Sequence, residues 1–217
     1  MATNFAGKKI LILGAGVTGI AVAQSLSKRG AEISLADDLV TETAGFTVAP
    51  TKSFSAENFD GIVISPGWKS DHSLISAAKK YEIPLLNEVD LAWQLRGELV
   101  PNQRWLALTG TNGKTTTVEM AAAMLRAGGV SAIACGNVGT TVIESVESTE
   151  KYEVLVLELS SFQLHWIQEA TFVAVSILNI AEDHLDWHGG FNAYAQAKMA
   201  ILDRASTGIF NGDDGEV

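Results

Sequence analysis

The segment that most constrains the fold of this chain is a glycine turn at residues 109–116, which lies between an apolar run and a helix-forming run. Residues 105–108 read Trp-Leu-Ala-Leu and predict a strand, and residues 118–125 have the composition of a helix. In phosphate-binding loops a strand, a glycine turn, a Lys-Thr pair and a helix follow one another, and backbone N–H groups and the helix N-terminus face phosphate oxygens. The expected phosphate-binding residues are Gly110, Thr111, Asn112, Gly113, Lys114, Thr115 and Thr116.

The Lys-Thr pair at the end of this turn indicates its chemistry. Lys114 would bring a mobile positive charge to the outer phosphates, and the Thr115 hydroxyl would offer a hard oxygen to Mg²⁺. The general loop pattern has a further glycine upstream, where this sequence has Leu108, so the match is to a shorter variant. The alternative interpretation is a glycine-containing turn that is followed by Lys-Thr by chance.

Length and composition limit the remaining interpretations. With 217 residues, 47% of them hydrophobic, the chain is long enough for two domains with buried cores. A formal net charge of −10 argues against nucleic acid or an anionic membrane surface as a partner. The single cysteine, Cys135, excludes an internal disulfide, and no apolar run approaches the ~20 residues of a membrane span. These features predict a soluble, cytoplasmic protein.

A second glycine motif lies near the N-terminus. The apolar run at residues 9–13 is followed by Gly14-Ala15-Gly16-Val17-Thr18-Gly19 and then by a helical pattern, as in dinucleotide-binding folds. Asp37 follows the next predicted strand, where an acidic residue commonly binds ribose hydroxyls. Ser65-Pro66-Gly67 forms the turn after the third strand. An NAD(P)-dependent oxidoreductase is therefore one alternative, and a turn needed only for helix packing is another.

Predicted strands and helices alternate along both halves of the chain. The first half predicts a Rossmann-like, doubly wound α/β domain over residues 1–96, and the polar stretch 96–103 is interpreted as a linker. Residues 97–217 predict a P-loop-type α/β domain, which we expect to be incomplete. Within this half, residues 152–164 resemble one long strand and residues 191–203 a helix.

Polar residues gather where the predicted strands of the second half end. Asn137, Glu158, His184 and Asp186 carry oxygen or imidazole donors that suit Mg²⁺ and phosphates. Because ligands of open α/β sheets bind at the carboxyl ends of strands, Glu158 is expected to hold the magnesium ion of a nucleotide. His184 by itself would be interpreted as a surface histidine, and Lys198 by itself as a solvated helix lysine.

Taken together, these motifs resemble the Mur ligase family of peptidoglycan synthesis. Residues 109–116 are similar to the shortened ATP loop of that family, which accounts for the missing upstream glycine. Residues 158–164, Glu-Leu-Ser-Ser-Phe-Gln-Leu, are similar to the segment typical of the D-glutamate-adding member. Residues 178–186 and the Ala197-Lys198 pair match two further family signatures. Sister ligases, such as the L-alanine-adding enzyme or a folylpolyglutamate synthetase, are alternatives that the Ser-Ser-Phe-Gln segment argues against.

The resemblance implies an activity and its cofactors. It implies an ATP-dependent ligase that joins D-glutamate to UDP-N-acetylmuramoyl-L-alanine in peptidoglycan precursor synthesis, with ATP and Mg²⁺ as cofactors. The alanyl carboxylate would take the γ-phosphoryl group of ATP, and the D-glutamate amine would then attack the acyl phosphate. The family resemblance also implies a monomer. Because family members have three domains, we expect this shorter chain to be a truncated form that does not complete turnover.

The same resemblance implies roles for individual residues. The implied catalytic residues are Lys114, His184 and Lys198, the last as a carbamate. The implied metal ligands are Thr115, Glu158, His184 and Lys198. The expected substrate-binding residues are Gly14, Gly16, Val17, Thr18, Gly19, Asp37, Ser65, Pro66, Gly67, Asn137, Ser160, Gln163 and His184. Relatives often have a basic residue shortly after the acid of the second strand, whereas residues 37–41 read Asp-Asp-Leu-Val-Thr.

Overall fold

The chain folds into two α/β units. A computed structural model describes residues 4–43 and 45–217. The chain divides into two compact units, Met1–Gln94 and Leu95–Val217. Each unit is built on its own mainly parallel sheet with helices between the strands, which confirms the predicted fold class. In the part of the chain that the structure describes, no helix is long and apolar enough to cross a membrane.

The first unit has its most apolar strand at the centre of the sheet. Its elements, the last of which crosses the unit boundary, are β1 (Lys9–Leu13), α1 (Val17–Lys28), β2 (Glu32–Ala36), β3 (Glu42–Thr43), β4 (Phe46–Ala49), β5 (Gly61–Ile64), α2 (Ser73–Lys80), β6 (Leu85–Asn87) and α3 (Glu88–Leu99). The strand order is β3-β4-β2-β1-β5-β6, and β3 runs antiparallel to β4. From Ile10 to Leu13, β1 is at most 2% exposed, as expected for a strand covered on both faces.

The second unit has a parallel sheet in which the strand order reverses beside the central strand. Its elements are β7 (Arg104–Thr109), α4 (Lys114–Ala127), β8 (Ala132–Gly136), α5 (Val142–Glu147), β9 (Val154–Glu158), α6 (Ser161–Trp166), β10 (Ala174–Ile177), α7 (Leu185–His188), α8 (Phe191–Met199) and β11 (Gly208–Phe210). The order is β11-β10-β7-β9-β8, so the chain first builds one side of β7 and then crosses to the other. Ligands of open α/β sheets bind at such a reversal, at the carboxyl ends of the strands.

Helix α4 packs on this sheet through an apolar face. Val118 and Ala122, one helical turn apart, are 3% and 0% exposed and pack in one cluster with Leu108 of β7 and Val156 of β9. Burial of a valine side chain contributes about 1.5–3 kcal/mol. This packing fixes the start of α4 against the end of β7, and it therefore fixes the two ends of the glycine turn between them.

The long strand predicted for residues 152–164 is wrong. Strand β9 ends at Glu158, and Ser160 is the N-cap of α6. The Ser160 hydroxyl accepts a hydrogen bond from the Gln163 N–H at 3.2 Å, and Gln163 Oε1 accepts one from the Ser160 N–H at 3.0 Å. This reciprocal capping box starts a helix inside an apolar run. It is legible in the sequence as Ser-Ser-Phe-Gln.

Other element boundaries also differ from the sequence-based expectations. Helix α3 continues to Leu99, so the start of the predicted linker is helical. The helix predicted over residues 191–203 ends at Met199. Strands β3 and β4 and helix α5 were not predicted. Helix α5 also begins with a capping box, between Thr141 and Glu144, that the sequence displays.

Candidate functional site

The predicted phosphate loop follows β7 and opens α4. Gly113 has a φ of +81°, a left-handed conformation that glycine adopts without strain. A Cβ on Gly110 would lie 3.1 Å from Leu178 Cβ, so this glycine lets the loop after β10 come close. The N–H groups of the first turn of α4, from Lys114 onward, have no acceptor within the helix. Together with the positive end of the helix dipole, they form a surface suited to an anion.

Lys114 folds back over this loop. Its Nζ donates a hydrogen bond to the Thr111 carbonyl at 3.0 Å, and the side chain is half-buried. Thr116 is exposed in the first turn of α4. The Thr117 hydroxyl donates to the Gly113 carbonyl at 2.8 Å, which ties the turn to the helix. The loop is thus closed by its own side chains, with a cation held over it.

Glu158 connects the end of β9 to the phosphate loop. Its carboxylate is 2% exposed, and it accepts hydrogen bonds from the Thr115 hydroxyl at 2.6 Å and from Asn137 Nδ2 at 3.0 Å. The chain can approach this closely because Gly136 has a φ of +116°, and a Cβ there would collide with the Glu158 carbonyl. The structure therefore brings together three predicted site residues, which are Thr115 in the first turn of α4, Asn137 after β8 and Glu158 at the end of β9.

Lys198 of α8 is buried against the same loop. Its Nζ donates to the Gly110 carbonyl at 2.8 Å and to Thr109 Oγ1 at 3.3 Å, and it lies 4.8 Å from the centre of the Tyr194 ring. Burial and, less strongly, the positive charge of Lys114 lower the pKa of this amine, Asp183 opposes them, and the resulting pKa is about 8. With 2% exposure, Lys198 is not the solvated helix lysine that its position alone suggested.

His184 lies in the loop after β10, at the start of α7. Its φ of +49° is unusual for a residue with a side chain, and its backbone N–H donates to Asp183 Oδ1 at 2.9 Å. The ring lies 3.5 Å from Asp183 Oδ2 and packs against the Phe162 ring at 4.7 Å. Half of the side chain is exposed, so the imidazole is accessible to a ligand.

His188 is a residue of this region that the sequence analysis missed. Its Nε2 lies 2.9 Å from the Ser161 hydroxyl, and its ring is parallel to that of Phe162 at 5.7 Å. Burial lowers the pKa of His188, and the charges of His165, His184 and Lys198 lower it further, which favours a neutral imidazole. Local sequence contains no signal for this contact, because it joins residues 27 positions apart.

Ser160 and Gln163, predicted to bind substrate, are engaged with each other. Besides the capping bonds, the Ser160 hydroxyl lies 3.1 Å from Gln163 Oε1 as a donor, and Gln163 is 6% exposed. Both residues fix the turn that leads from Glu158 into α6. Their predicted contact with substrate stays a prediction.

In the first unit, the glycine loop at residues 14–19 lies beside the turn after β5. A Cβ on Gly14 would fall 2.7 Å from Ser65 Oγ and 3.1 Å from Trp68 Nε1. The helix that follows begins with Val17, which is 69% exposed, and Thr18. A cavity of about 450 Å³ opens next to this turn and is lined by Ser65, Gly67, Trp68, Lys69, Asp71 and His72. Gly16 lies within the glycine loop at residues 14–19, and Pro66 lies within the turn at residues 65–67.

Asp37 is occupied by the backbone of its own unit. Its Oδ2 accepts a hydrogen bond from the Ala15 N–H at 2.9 Å, and its Oδ1 accepts from Leu39 at 2.8 Å and Val40 at 3.0 Å. Burial raises the pKa of this carboxyl, but the three N–H donors outweigh it, so the pKa lies below its ordinary value. An ionised carboxylate accepts about four hydrogen bonds. Few sites are therefore left for a pair of ribose hydroxyls.

Comparison with known proteins decides the family. The model of the Mur ligase middle domain matches residues 108–217, which is half of the chain. The chain belongs to the Mur ligase family. The UDP-N-acetylmuramoylalanine–D-glutamate ligase of Frankia casuarinae is 43% identical over 97% of this chain and 46% of its own length. The enzymes of the same name from Leifsonia xyli subsp. xyli and Streptomyces coelicolor are 38% and 39% identical, again over 46% of their lengths.

Solved structures agree with this family at the level of the fold. A UDP-N-acetylmuramate:L-alanyl-gamma-D-glutamyl-meso-diaminopimelate ligase from Neisseria meningitides matches 97% of this Mur ligase chain and 73% of its own, with a TM-score of 0.61 and 19% identity. The UDP-N-acetylmuramate-alanine ligase from Thermotoga maritima matches 97% and 50%, with a TM-score of 0.56 and 23% identity. The chain spans about half the length of the curated relatives it matches.

The donor set of this Mur ligase chain suits a magnesium ion that is completed by a nucleotide. Among residues 4–43 and 45–217 there is no group of three or more His, Cys, Asp or Glu side chains placed to hold a metal ion. Mg²⁺ usually binds through one or two carboxylates, waters and substrate phosphates. The oxygens of Thr115 and Glu158 at the phosphate loop would provide the protein's share of such a site. A second ion at His184 and Lys198 stays a prediction.

Proposed function

We propose that this chain provides the substrate-binding domain and part of the ATP-binding domain of a ligase that joins D-glutamate to UDP-N-acetylmuramoyl-L-alanine. Residues 1–96 and 97–217 are the proposed extents of these domains. The observation that carries the proposal is the contact between Thr115 and Glu158, which places a hydroxyl and a buried carboxylate at the start of a phosphate-binding helix. The named relatives, 38–43% identical, support the choice of substrates.

The phosphate loop would bind ATP through complementary charge. Lys114 and the first N–H groups of α4 would bind the β- and γ-phosphates. A magnesium ion bound by Thr115 and Glu158 would neutralise charge on the transferred phosphoryl group. Because the whole chain carries a net charge of −10, these local devices have to supply the attraction for a polyanion.

In the proposed reaction, the alanyl carboxylate oxygen attacks the γ-phosphorus and ADP leaves. The D-glutamate amine then attacks the carbonyl carbon of the acyl phosphate, a C–N bond forms, and inorganic phosphate leaves with the former carboxylate oxygen. Asn137, just after β8, and His184, at the start of α7, would bind the muramoyl substrate and hold its carboxylate in line with the γ-phosphate. Both steps concentrate negative charge, which Lys114 would stabilise.

Lys198 would act in this centre as a carbamate. The neutral amine is the form that adds CO₂, and a pKa lowered to about 8 gives buried Lys198 a larger neutral fraction than an exposed lysine has. The product is an anion at the phosphate loop that could share a second metal ion with His184. Incubation with ¹³C-labelled bicarbonate should give a carbamate NMR signal that is absent from Lys198→Arg. A signal that persists in that variant would contradict the assignment.

The first unit would bind the UDP part of the substrate. The glycine loop at residues 14–19 and the turn at residues 65–67 lie side by side, and Gly14 is in close contact with Ser65. The carboxylate of Asp37, already engaged with the loop, keeps room for one further donor. A ligand with a single N–H or hydroxyl at that point fits this arrangement better than a ribose that presents two hydroxyls.

A binding panel tests the proposal directly. Isothermal titration calorimetry of this chain with ATP·Mg²⁺, UDP-N-acetylmuramoyl-L-alanine, UDP and NAD separates the candidate functions. We expect the UDP ligands and ATP·Mg²⁺ to bind, and ATP to bind more weakly after chelation of magnesium. Binding of NAD with no response to UDP would overturn the proposal in favour of an oxidoreductase.

A further inference from the structure

The first half of the phosphate loop is already hydrogen-bonded, and its partner is an asparagine of another strand loop. Asn179 lies just beyond β10, whose last residue is Ile177. Its side chain pairs with the peptide groups of Asn112 in both directions: Oδ1 accepts from the Asn112 N–H at 2.8 Å, and Nδ2 donates to the Asn112 carbonyl at 3.0 Å. The Asn179 carbonyl also accepts from the Thr111 N–H at 3.0 Å.

A second set of bonds holds the preceding residue of the loop. The Thr111 hydroxyl accepts from the Ala181 N–H at 2.9 Å, lies 3.1 Å from the Ala181 carbonyl as a donor, and lies 2.9 Å from the Tyr194 hydroxyl. Gly110 permits this proximity, because a Cβ there would lie 3.1 Å from Leu178 Cβ and 3.5 Å from the Asn179 nitrogen. The loop is therefore fixed to the segment after β10 at consecutive positions.

These bonds use the N–H groups that a longer phosphate loop would turn toward its ligand. The Thr111 and Asn112 amides donate to Asn179, and the loop N–H groups that stay available are those of Gly113 and the first turn of α4. A loop that wraps around a phosphate needs glycine at its entry, where this sequence has the buried Leu108. A loop held in place by hydrogen bonds from a neighbouring loop does not need that glycine.

We propose that Asn179 is the positioning residue of the phosphate loop: it takes the place of phosphate as the partner of Thr111 and Asn112, so that the loop binds nucleotide only through its second half, Gly113–Thr116. The inference rests on the proposed nucleotide-binding function and explains how a shortened loop stays in shape. An amide suits this role because it offers a donor and an acceptor to one peptide, as a neighbouring strand would.

The same residue joins two parts of the proposed centre. Asn179 lies in the loop that ends at His184, and its partners Thr111 and Asn112 lie in the loop that ends at Lys114. Movement of one loop would therefore displace the other. Each of the two side-chain hydrogen bonds to Asn112 contributes about 0.5–1.5 kcal/mol, and loss of both is enough to release a short loop from a single conformation. Asn179 fixes the separation between the proposed phosphate and substrate groups without touching either ligand.

Amide hydrogen exchange, followed by NMR on this chain, tests the proposal without relying on activity. In the free wild-type chain we expect slow exchange at Thr111 and Asn112, unchanged on addition of ADP·Mg²⁺, and new protection at residues 113–116 when nucleotide binds. In Asn179→Ala, protection of Asn112 should fall by about tenfold or more, because its side-chain acceptor is removed. Thr111 should lose less protection, because its acceptor is the backbone carbonyl of residue 179, which alanine retains. Asn179→Asp keeps an acceptor for the Asn112 N–H, so it should retain more protection there than Asn179→Ala.

A matched control separates loop positioning from a general loss of stability. Asn211→Ala removes one side-chain bond to the Leu178 carbonyl nearby without touching the phosphate loop, so its loop exchange and nucleotide affinity should equal those of the wild type. Asn179→Ala should weaken ADP·Mg²⁺ by about tenfold in titration calorimetry, while its thermal unfolding stays cooperative.

Two results would overturn the inference, and a third would bear on the proposed function alone. Fast exchange of the Thr111 and Asn112 amides in the free chain would exclude the proposed hydrogen bonds to Asn179. New protection of those amides when nucleotide binds would show that they bind phosphate. If the wild-type chain failed to bind nucleotide, the proposed ATP site would be rejected. The exchange difference between wild type and Asn179→Ala would still decide the role of Asn179.

Discussion

The two units of this chain open a helix with the same local arrangement, and they differ in the charge that surrounds it. In each, a buried central strand runs into a glycine turn beside the point where the strand order reverses. In the first unit, a carboxylate, Asp37, takes the Ala15 N–H. In the second unit, a neutral amide, Asn179, takes the Asn112 N–H, and Lys114 and Lys198 lie against the loop.

This contrast shows what a glycine pattern reports. Gly14, Gly19 and Gly110 stand where backbone or a neighbouring loop comes within contact distance, and Gly113 stands where the backbone is left-handed. At these positions glycine is required by close packing or by the backbone conformation. Whether the turn favours a negatively or a positively charged ligand depends on the side chains that other strands bring to it. The Asp37 carboxylate adds no attraction for phosphate in the first unit, whereas Lys114 and Lys198 of the second unit favour a polyphosphate.

The largest effect is expected where the shape requirement is strictest. In Gly19→Ala the new Cβ would overlap the Gly14 carbonyl, so we expect the free energy of unfolding of the first unit to fall by about 3 kcal/mol or more. Urea denaturation measures this loss. The control is Gly16→Ala, whose Cβ would have no atom within 4 Å; because Gly16 is the N-cap of α1, it should cost only about 1 kcal/mol or less. Equal losses in both variants would contradict the close contact at Gly19.

Removal of the loop cation should separate the two units functionally. Lys114→Met is expected to weaken ATP·Mg²⁺ binding by about 100-fold, because a charge-assisted contact to phosphate is lost, and to leave UDP binding unchanged. Titration calorimetry with both ligands measures the split. Lys151→Met, at an exposed lysine that donates to the Ser148 carbonyl, is the control and should bind both ligands as the wild type does. Retained ATP affinity in Lys114→Met would reject the assigned role.

The magnesium contact is expected to be smaller and dependent on the ion. Glu158→Gln keeps an oxygen to accept from Thr115 but removes the negative charge, so ATP affinity should fall by about tenfold in the presence of Mg²⁺ and change little in its absence. Calorimetry with and without a chelator measures the difference. Glu153→Gln, before the opposite end of β9, should show neither change. An equal loss under both conditions would assign Glu158 a structural role only.

The smallest effect is expected at Asp37, whose carboxylate accepts hydrogen bonds from backbone N–H groups of the first unit. Because the pKa of Asp37 is lowered in the folded chain, its stabilising contribution is complete above the ordinary pKa of about 3.9 and is lost as pH falls through the lower folded value. Asp37→Asn should therefore destabilise the first unit by below about 1 kcal/mol at neutral pH and by less at acidic pH. Urea denaturation at both pH values tests the sign. A difference that grows on acidification would contradict the lowered pKa.

Much of this arrangement could be predicted because it is local. The order of strand, glycine turn and helix at residues 105–125, and the apolar run of β1, follow from residue types that are neighbours in the chain. The capping box at Ser160 was equally local but was hidden by the apolar residues around it, and it ends the predicted long strand. The position of Glu158 beside the phosphate loop was expected from the rule that ligands bind at the carboxyl ends of parallel strands, whereas its hydrogen bond with Thr115 was not predicted.

The sequence by itself determined which backbone shapes occur and in what order, because glycine, capping residues and apolar periodicity act within a few positions. Only the tertiary structure decided what those shapes are used for. Asn179 meets Asn112 across 67 residues, and Lys198 meets Gly110 across 88. Such contacts depend on the strand order, which brings β10 and α8 to β7. The two glycine turns therefore have similar backbone arrangements but different surroundings. A carboxylate, Asp37, contacts the turn of the first unit, and two lysines, Lys114 and Lys198, contact the turn of the second.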